Sequence, residues 1–239
     1  MLINEQTLVR DCIQWDVKNW SQSLKYWQPI LDAMNDKNNG RVLCLGERDG
    51  GLTLWFALLG FQVVCTDIYG ITESARELHK SYNVSHRISY NETDIFKINF
   101  PTDYFDIVAC KSVIGGLKTT YSDSRTRTLE NQKLATLEIN RVLKNGGFFL
   151  GAENLRGSPL HQLYRKKIKG KRIGWRHLSR QEVTWLFADY SYLKHRSFGF
   201  VGTFYKRHFV NSIGYNLDKL LSKILPHDWL YIDFIIAKK

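Results

Sequence analysis

Cysteine is scarce in this sequence, and no metal-binding spacing is present. The 239 residues include four scattered cysteines, Cys12, Cys44, Cys65 and Cys110. Because there is no CxxC pair, no HExxH and no histidine cluster at ligand spacing, we predict no structural or catalytic metal. The last three cysteines lie within or at the ends of apolar, strand-like runs. They are expected to be small buried hydrophobic side chains in a reducing compartment.

Long apolar runs are also missing. No run approaches the roughly 18 to 20 residues that cross a bilayer, and the first residues, MLINEQTLVRDC, lack the order of a signal peptide. We therefore expect a cytoplasmic protein without a transmembrane segment. Apolar residues make up 44% of the chain, which is ample for a full core. The length suits one large α/β domain, or such a domain with an appended lobe.

Acidic residues are few in the C-terminal part of the chain. Residues 1–152 carry 17 basic and 17 acidic side chains, whereas residues 153–239 carry 17 basic and 6 acidic ones. The net charge of +11 therefore comes entirely from the second part. Such a surface attracts a nucleic acid, an anionic lipid surface or a phosphate-bearing substrate. The alternative is a solvated basic surface without a partner.

Residues 41–68 show the strongest pattern in the sequence. An apolar run over 42–45 stops at Gly46, and a polar turn containing Gly50 and Gly51 leads into a helical pattern. A second apolar run then ends at Asp67. A glycine-rich turn between a strand and a helix lets a ligand approach the backbone, and an acid roughly 20 residues later is placed to bind ribose hydroxyls. The pattern predicts a nucleoside pocket; an ordinary strand-helix-strand crossover is the alternative.

Further strands and helices follow in alternation. Helix 73–80, strands 87–90 and 105–109, a long helix and strand 148–151 predict a parallel sheet with its ligand at the carboxyl ends of the strands. Asp94 and Ile95 follow the third strand and are placed to contact an adenine, although Asp94 also suits a helix N-cap. The residues predicted on the buried side of the long helix are Leu129, Leu134, Leu137, Ile139, Val142 and Leu143.

The two ends of the chain complete this picture. Residues 4–36 predict one or two aromatic-rich helices, in which Trp20 or Tyr26 either packs on the ligand or belongs to the core. Residues 155–229 predict a lid that is partly basic and partly apolar. It includes a capping box that begins at Ser179 and an amphipathic helix that ends before Pro226. Leu217, Leu220 and Ile224 form part of the apolar side of that helix.

The motifs in this order resemble class I S-adenosylmethionine-dependent methyltransferases. The resemblance rests on GERDGGLTLWFALLGFQVVCTDI, Asp94, DIVACKSVIGG and ENQKLATLEINRVLKNGGFFLGAEN, and it covers residues 40–154. The terminal YIDFIIAKK is similar to the final antiparallel strand of that fold. A closer likeness, through AENLRGSPLH and HDWLYIDFIIAKK, is to bacterial type 11 methyltransferases found with surface-glycan biosynthesis.

The resemblance implies an α/β, seven-stranded Rossmann-like sheet that is mostly parallel, with helices on both faces. It divides the chain into a helical arm over 1–39, a cofactor-binding core over 40–154 and a basic substrate-recognition region over 155–239. The expected cofactor is S-adenosyl-L-methionine, which leaves as S-adenosyl-L-homocysteine. Its expected contacts are Gly46, Glu47, Gly50, Asp67, Ile68, Asp94, Ile95, Lys111 and Trp20.

The sequence also departs from the family's pattern. The acid that normally precedes the glycine-rich turn is replaced by Cys44, and the middle glycine is replaced by Arg48. Glu47 or Asp49 is expected to substitute for the missing acid. An oxygen acceptor additionally benefits from a general base, and His161 and Glu153 are the predicted bases by position. Glu153 as a structural anchor and His161 as a surface residue are the alternatives.

Three functions fit these patterns. We favour a methyltransferase that acts on a small molecule or on a glycan or sugar-phosphate acceptor, with O-methylation preferred. The basic C-terminal region permits an RNA methyltransferase, but no recognisable RNA-binding module accompanies it. The changed turn permits a binding protein without catalysis. A nicotinamide dehydrogenase fits less well, because Asp94 and the strand over 231–237 match the methyltransferase layout.

Overall fold

The protein is described by a computed structural model that covers residues 5–14, 16–117, 125–168, 176–204 and 208–239. Within these residues seven strands form one sheet. In chain order the strands are β1 (Arg41–Leu45), β2 (Gln62–Asp67), β3 (Ile88–Glu92), β4 (Phe105–Lys111), β5 (Leu143–Asn154), β6 (Tyr192–Phe198) and β7 (Ile232–Lys238). Their order across the sheet is β3-β2-β1-β4-β5-β7-β6.

The α-helices of the described residues lie before, between and after these strands. They are α1 (Glu5–Ile13), α2 (Val17–Trp20), α3 (Gln22–Asp32), α4 (Gly51–Leu58), α5 (Glu73–Ser81), α6 (Arg125–Val142), α7 (Pro159–Ile168), α8 (Arg180–Leu186) and α9 (His208–Ile224). None of them is both long and apolar enough to cross a membrane.

The direction of the strands confirms the predicted sheet. β1 to β5 are parallel, β7 is antiparallel to β5, and β6 is antiparallel to β7. The strand order reverses at β1, which lies between β2 and β4. Connections that leave β1 and β4 at such a point pass to opposite faces and open a crevice at the carboxyl ends of the strands.

Apolar side chains cover both faces of the sheet. On one face α3 and α4 contribute Trp27 and Phe56, and on the other face α6 and α8 contribute Ile139 and Leu186; all four are fully buried. All four cysteines are buried as well, which confirms the prediction for Cys44, Cys65 and Cys110 and extends it to Cys12.

The N-terminal arm contains three helices where the sequence predicts one or two. α1 packs against α4, and α3 packs against β7. The indole Nε1 of Trp27 donates to the carbonyl of Ile235 at 3.2 Å, which fixes α3 on the sheet. Pro29 lies within α3.

The predicted buried side of the long helix is partly wrong. Ile139 is fully buried in α6, but Leu134 is 57% and Leu137 is 41% exposed. Ile139 and Val142 are buried as predicted, and the unpredicted Ala135 completes the buried stripe. These positions recur at i, i+4 and i+7, so this narrower set faces the sheet and turns Leu134 and Leu137 outward.

Two predicted strand ends also differ from the structure. β5 begins directly after α6, five residues before the predicted start at 148. Phe105 pairs with Leu143 and Ile107 with Phe148, so residues 144–147 bulge from the ladder. Gly146 has φ +81°, a conformation that glycine adopts easily. The sequence also predicts a strand over 192–201, but β6 ends at Phe198.

The capping box at Ser179 is confirmed. The Ser179 hydroxyl accepts from the N–H of Glu182 at 3.2 Å, and the Glu182 carboxylate accepts from the N–H of Ser179 at 2.8 Å. The other carboxylate oxygen of Glu182 pairs with both Arg156 and Arg176. Glu182 therefore ties two basic residues to the start of α8. Three further basic residues of this region, Lys169, Lys171 and Arg172, lie outside the described residues.

The two faces of α6 should respond differently to truncation. We expect Ile139→Ala to lower the free energy of unfolding by about 2 to 4 kcal/mol, because it opens a cavity in a closed core. Leu134→Ala should change it by less than about 0.5 kcal/mol, since Leu134 is mostly solvated. Urea unfolding followed by circular dichroism measures both. A larger loss for Leu134→Ala than for Ile139→Ala would show that the helix is turned the other way.

Candidate functional site

The turn after β1 has the backbone that its glycines predict. Gly46 and Gly50 have φ +67° and +73°, which side-chain-bearing residues rarely adopt. A Cβ on Gly46 would lie 2.5 Å from Cγ2 of Val113, and one on Gly50 would lie 2.6 Å from Nε2 of His79. Both positions therefore require glycine, and the turn is packed between two other parts of the chain.

Glu47 closes the start of α4. Its Oε2 accepts from the N–H of Leu52 at 2.7 Å and from the N–H of Thr53 at 3.2 Å. The side chain is 5% exposed, and burial raises the pKa of Glu47 to about 7. The free N–H groups at a helix start form a ready anion site, so a carboxylate of the chain itself already occupies the place where a phosphate would bind.

Asp67 ends β2 at the edge of the crevice, as predicted. Its Oδ1 accepts from the N–H of Tyr69 at 2.8 Å. Its Oδ2 accepts no hydrogen bond from the residues that the structure describes. Ile68, the next residue, is 50% exposed. The strand end thus offers one unused carboxylate oxygen and one apolar surface.

Asp94 begins a tight turn after β3, and no helix follows it. Its Oδ1 accepts from the N–H of Phe96 at 3.0 Å, and its carbonyl accepts from the N–H of Lys97 at 3.0 Å. Because no helix begins after Asp94, its N-cap interpretation is wrong. The Asp94 side chain is exposed. Ile95 is 7% exposed and packs in the core on the α6 side of the sheet. Asp94 therefore lies at the surface, whereas the adjacent Ile95 lies in the core.

Lys111 joins the end of β4 to the N-terminal arm. Its Nζ donates to the carbonyl of Ile13 at 2.5 Å, and burial lowers the pKa of Lys111 while Glu47 opposes that shift. One residue later, the Gln14 side chain donates to the carbonyl of Asp49 at 2.7 Å. The segment after α1 is thus fixed to the ends of both β1 and β4.

Trp20 lies in the core at 1% exposure, so its ring has almost no surface for a ligand in this arrangement. The adjacent Asn19 belongs to a buried polar network that the sequence does not reveal. Its Nδ2 donates to the Tyr231 hydroxyl at 2.8 Å, and that hydroxyl donates to Asp16 Oδ2 at 2.7 Å. Burial raises the pKa of Asp16 to about 6, which makes Asp16 a titratable group near the carboxyl edge.

Glu153 anchors the loop after β4. Its Oε1 accepts from the N–H groups of Val113 and Ile114, both at 2.8 Å, and its Oε2 accepts from the N–H of Gly115 at 3.3 Å. The side chain is fully buried, and burial raises its pKa to about 7. The contacts are those of the structural-anchor alternative, and its role as a base stays a prediction.

His161 is buried on the inner side of α7, so the surface alternative is wrong. Nε2 lies 2.7 Å from the carbonyl of Phe200, which can only accept, so Nε2 carries the proton. Nδ1 then accepts from the Ser158 hydroxyl at 2.7 Å. Burial lowers the pKa of His161 to about 4. The ring is neutral and both nitrogens are engaged; its predicted role as a base remains untested.

A second histidine, His79, supports the glycine-rich turn and was missed by the sequence analysis. Its Nε2 donates to the carbonyl of Gly50 at 2.8 Å, and its Nδ1 lies 3.0 Å from the Tyr90 hydroxyl. In the sequence, His79 is only one residue of the predicted helix 73–80, and no local pattern there indicates a contact with the turn. Its contact with Gly50 depends on the packing of α5 beside α4.

Comparison with known proteins agrees with this architecture. The family model of the methyltransferase domain matches residues 43–151. The ubiquinone/menaquinone biosynthesis C-methyltransferase UbiE of Proteus mirabilis is 29% identical over 140 residues, which are 56% of this chain and 51% of that protein. The chain thus spans about half the length of this curated relative.

Solved structures share the fold over nearly the whole chain. Phosphoethanolamine N-methyltransferase 2 of Haemonchus contortus, in complex with S-adenosyl-L-methionine, has a TM-score of 0.61 at 16% identity and covers 99% of this chain and 57% of that one. The YcgJ protein of Bacillus subtilis has a TM-score of 0.56 at 18% identity, and the match covers 91% of this chain and 98% of that one. The [4+2]-cyclase SpnF has a TM-score of 0.57 at 16% identity, and the match covers 92% of this chain and 82% of that one.

The buried Glu153 should give the protein a recognisable pH dependence. Its pKa is higher in the folded chain, about 7, than its ordinary 4.5. The folded state therefore keeps a proton that the unfolded state releases, so this contribution to stability is lost as pH rises between these values. Glutamine does not titrate. We therefore expect the free energy of unfolding to fall by about 2 to 3 kcal/mol less over this pH range in Glu153→Gln than in the unchanged protein. Urea titrations of both proteins at about pH 4.5 and about pH 7.5 measure it; equal pH dependence would contradict it.

The matched domain spans β1 to β5 and contains the glycine-rich turn, Asp67, Asp94 and Lys111. The remaining strands complete a sheet that the solved methyltransferases share. Residues 43–151 thus match the methyltransferase domain, and the sheet as a whole has the fold of solved S-adenosylmethionine-dependent methyltransferases.

Proposed function

We propose that this chain transfers the methyl group of S-adenosyl-L-methionine to a small molecule or glycan acceptor, with oxygen as the favoured acceptor atom. The observation that carries the proposal is the crevice beside β1. There the start of α4 is closed by Glu47, while Asp67 presents an unused oxygen at the end of β2. Bound there, the cofactor supplies a methyl group already activated by a sulfonium, so the protein mainly has to align the acceptor and exclude water.

The closed helix start distinguishes this cofactor from a dinucleotide. A dinucleotide places its pyrophosphate on the N–H groups at the first helix of the sheet. In this chain two of those N–H groups are bound to Glu47, whose negative charge would repel a phosphate. S-adenosyl-L-methionine has no phosphate and carries a cationic sulfonium. The residues present therefore fit it better than they fit a nicotinamide cofactor.

Some of the predicted cofactor contacts follow the carboxyl ends of β1, β2 and β3, which supports the proposed binding mode. Asp67 would hold the ribose hydroxyls, Asp94 the adenine amino group, and the backbone of the Gly46–Gly50 turn the methionine part. Ile13 and Gln14 of the arm contact Lys111, at the end of β4, and Asp49, in the turn after β1. This placement supports the prediction that the arm caps the bound cofactor.

A cavity beside the end of β5 supports a sugar-like acceptor. It has a volume of about 270 Å³. Its polar and aromatic lining includes Arg156, Gln162, Arg180, Gln181 and Trp229. Amide and guanidinium groups suit hydroxyl and phosphate oxygens, and an aromatic ring such as Trp229, 43% exposed, suits the apolar face of a sugar.

The arginines of this region already have internal partners. Arg156 and Arg176 share Glu182, Arg180 pairs with Asp233, and Arg165 donates to the carbonyl of Arg156 at 2.7 Å. A phosphate on the acceptor would have to share these guanidinium groups or use exposed lysines such as Lys166 and Lys167. The proposal therefore rests more on the sugar-sized cavity than on the count of basic residues.

Proton removal needs a group that the acceptor can reach. Glu153 and His161 are fully buried, so proton transfer to either requires the site to open. Asp16 is less buried and has a pKa near 6, which suits a base close to neutral pH. We therefore add Asp16 to His161 and Glu153 as a candidate base.

Cofactor binding should depend on Asp67. Asp67→Ala removes the carboxylate proposed to accept from the ribose, so affinity for S-adenosyl-L-homocysteine should fall by about 1.5 to 3 kcal/mol, or roughly 10- to 150-fold. Glu77→Ala, which removes an exposed carboxylate from α5, is the matched control and should bind as the unchanged protein does. Isothermal titration calorimetry measures all three. Unchanged affinity for Asp67→Ala would refute the assignment, and no binding to any of them would favour the non-catalytic alternative.

The acceptor class can be read from where a labelled methyl group goes. With methyl-labelled S-adenosyl-L-methionine, we expect label in a sugar-nucleotide or glycan fraction and none in total RNA. Trp229→Ala should raise KM for that acceptor about tenfold with little change in kcat, because a stacking surface binds substrate and transition state alike. Trp185→Ala, which removes a tryptophan 47% exposed on α8, is the control. Label in RNA alone would establish the RNA methyltransferase instead.

A further inference from the structure

The apolar side of the amphipathic helix predicted before Pro226 is exposed in the structure. Leu217, Leu220 and Ile224 of α9 are 40%, 55% and 69% exposed. At 3.6 residues per turn, these three positions lie within an arc of about 60°. A packed helix normally turns such an arc inward, so its exposure requires an explanation.

Polar contacts hold α9 in this orientation. Asp218 is fully buried and accepts from the N–H groups of Phe200 at 2.6 Å and Val201 at 2.7 Å. One turn later, the Ser222 hydroxyl accepts from the N–H of Gly199 at 3.1 Å. The inner side of α9 therefore carries these polar residues beside Tyr215, which packs on Phe198, and these bonds keep the leucine stripe in solvent.

α7 repeats this arrangement beside α9. Its inner residue His161 donates to the carbonyl of Phe200, in the same segment that Asp218 holds. Its outer residues Leu160 and Leu163 are 55% and 47% exposed. Both helices therefore contact the segment that contains Phe200. We call the resulting surface the α7–α9 face, formed by Leu160, Leu163, Leu217, Leu220 and Ile224.

The charge around this face is more positive than the sequence count suggests. Of the six acidic residues after position 152, Glu153, Asp218 and Asp233 are fully buried. Glu182 pairs with two arginines. By contrast, exposed lysines flank the stripe on both helices. They are Lys166, Lys167, Lys219 and Lys223.

We propose that the α7–α9 face docks on an anionic lipid surface. An apolar stripe bordered by lysines is the pattern of helices that lie in a membrane interface, where leucines enter the acyl boundary and lysines bind anionic headgroups. A nucleic acid would use the lysines but gains little from leucine and isoleucine, since it stacks on aromatic rings. The proposal does not depend on methyl transfer, so it can fail or succeed independently of the proposed function.

Vesicle flotation of the full chain tests this proposal. We expect binding to vesicles of equal parts phosphatidylcholine and phosphatidylglycerol, little binding to phosphatidylcholine alone, and weaker binding as salt is raised. Leu220→Gln with Ile224→Gln should weaken binding at least tenfold, and so should Lys219→Gln with Lys223→Gln. Leu134→Gln with Leu137→Gln, which changes an equally exposed leucine pair on α6, should stay within about twofold.

Each variant is first checked for an unchanged circular dichroism spectrum and melting temperature, which surface substitutions should leave intact. The proposal is overturned if the unchanged protein does not float with anionic vesicles, or floats equally well without phosphatidylglycerol. It is also overturned if the α6 pair weakens binding as much as the α9 pair. A dimer in sedimentation velocity that the α9 leucine variant dissolves, without vesicle binding, would assign the face to a second copy of the chain. Transfer RNA binding that only the lysine variant loses, again without vesicle binding, would assign it to nucleic acid.

Discussion

Two buried carboxylates hold the crevice in shape, and the rest of the site depends on them. Glu47 binds the N–H groups at the start of α4, and Glu153 binds three successive N–H groups of the loop after β4. The two loops also touch, because the space where Gly46 lacks a side chain is filled by Val113. Burying either carboxylate is costly by itself. Hydrogen bonds to backbone groups that would otherwise lack partners offset that cost, so each acid and its loop are stable only together.

The N-terminal arm is fixed to this frame at the place where a bound ligand would be covered. Lys111 holds Ile13, the Gln14 side chain reaches the glycine-rich turn, and Asp16 binds Tyr231 at the start of β7. Gln14 and Asp16 have φ +69° and +44°, which are strained values for residues with side chains. Such strain persists only where surrounding contacts outweigh it. Gln14 and Asp16 are therefore held in place by these contacts rather than by their own backbone preferences.

The sequence was informative where the determining contacts are local. The strand-turn-helix around Gly46, the capping box at Ser179 and the parallel strands all follow from periodicity and turn residues within a few positions. It failed where distant residues decide. The rotation of α9 depends on Asp218, whose partner Asn19 lies 199 positions away. In the same way, a glutamate at a strand end such as Glu153 has the same local pattern whether it faces a substrate or anchors a loop.

Charge is separated across the molecule in a way that suits two ligands of opposite sign. The first 152 residues are electrically balanced, and Glu47, Asp67 and Asp94 lie at or just after the carboxyl ends of β1, β2 and β3. At the site we propose, these carboxylates would meet the cationic sulfonium, although the chain as a whole carries a charge of +11. The positive excess lies beyond β5, where Asp218 and Asp233 are buried and lysines such as Lys219 and Lys223 remain exposed. Because a field of one sign raises the local concentration of oppositely charged partners, an anionic acceptor or surface would be drawn to that side and the cofactor to the other. The two would then meet at the carboxyl ends of β4 and β5, the edge at which the loops held by Glu47 and Glu153 come together.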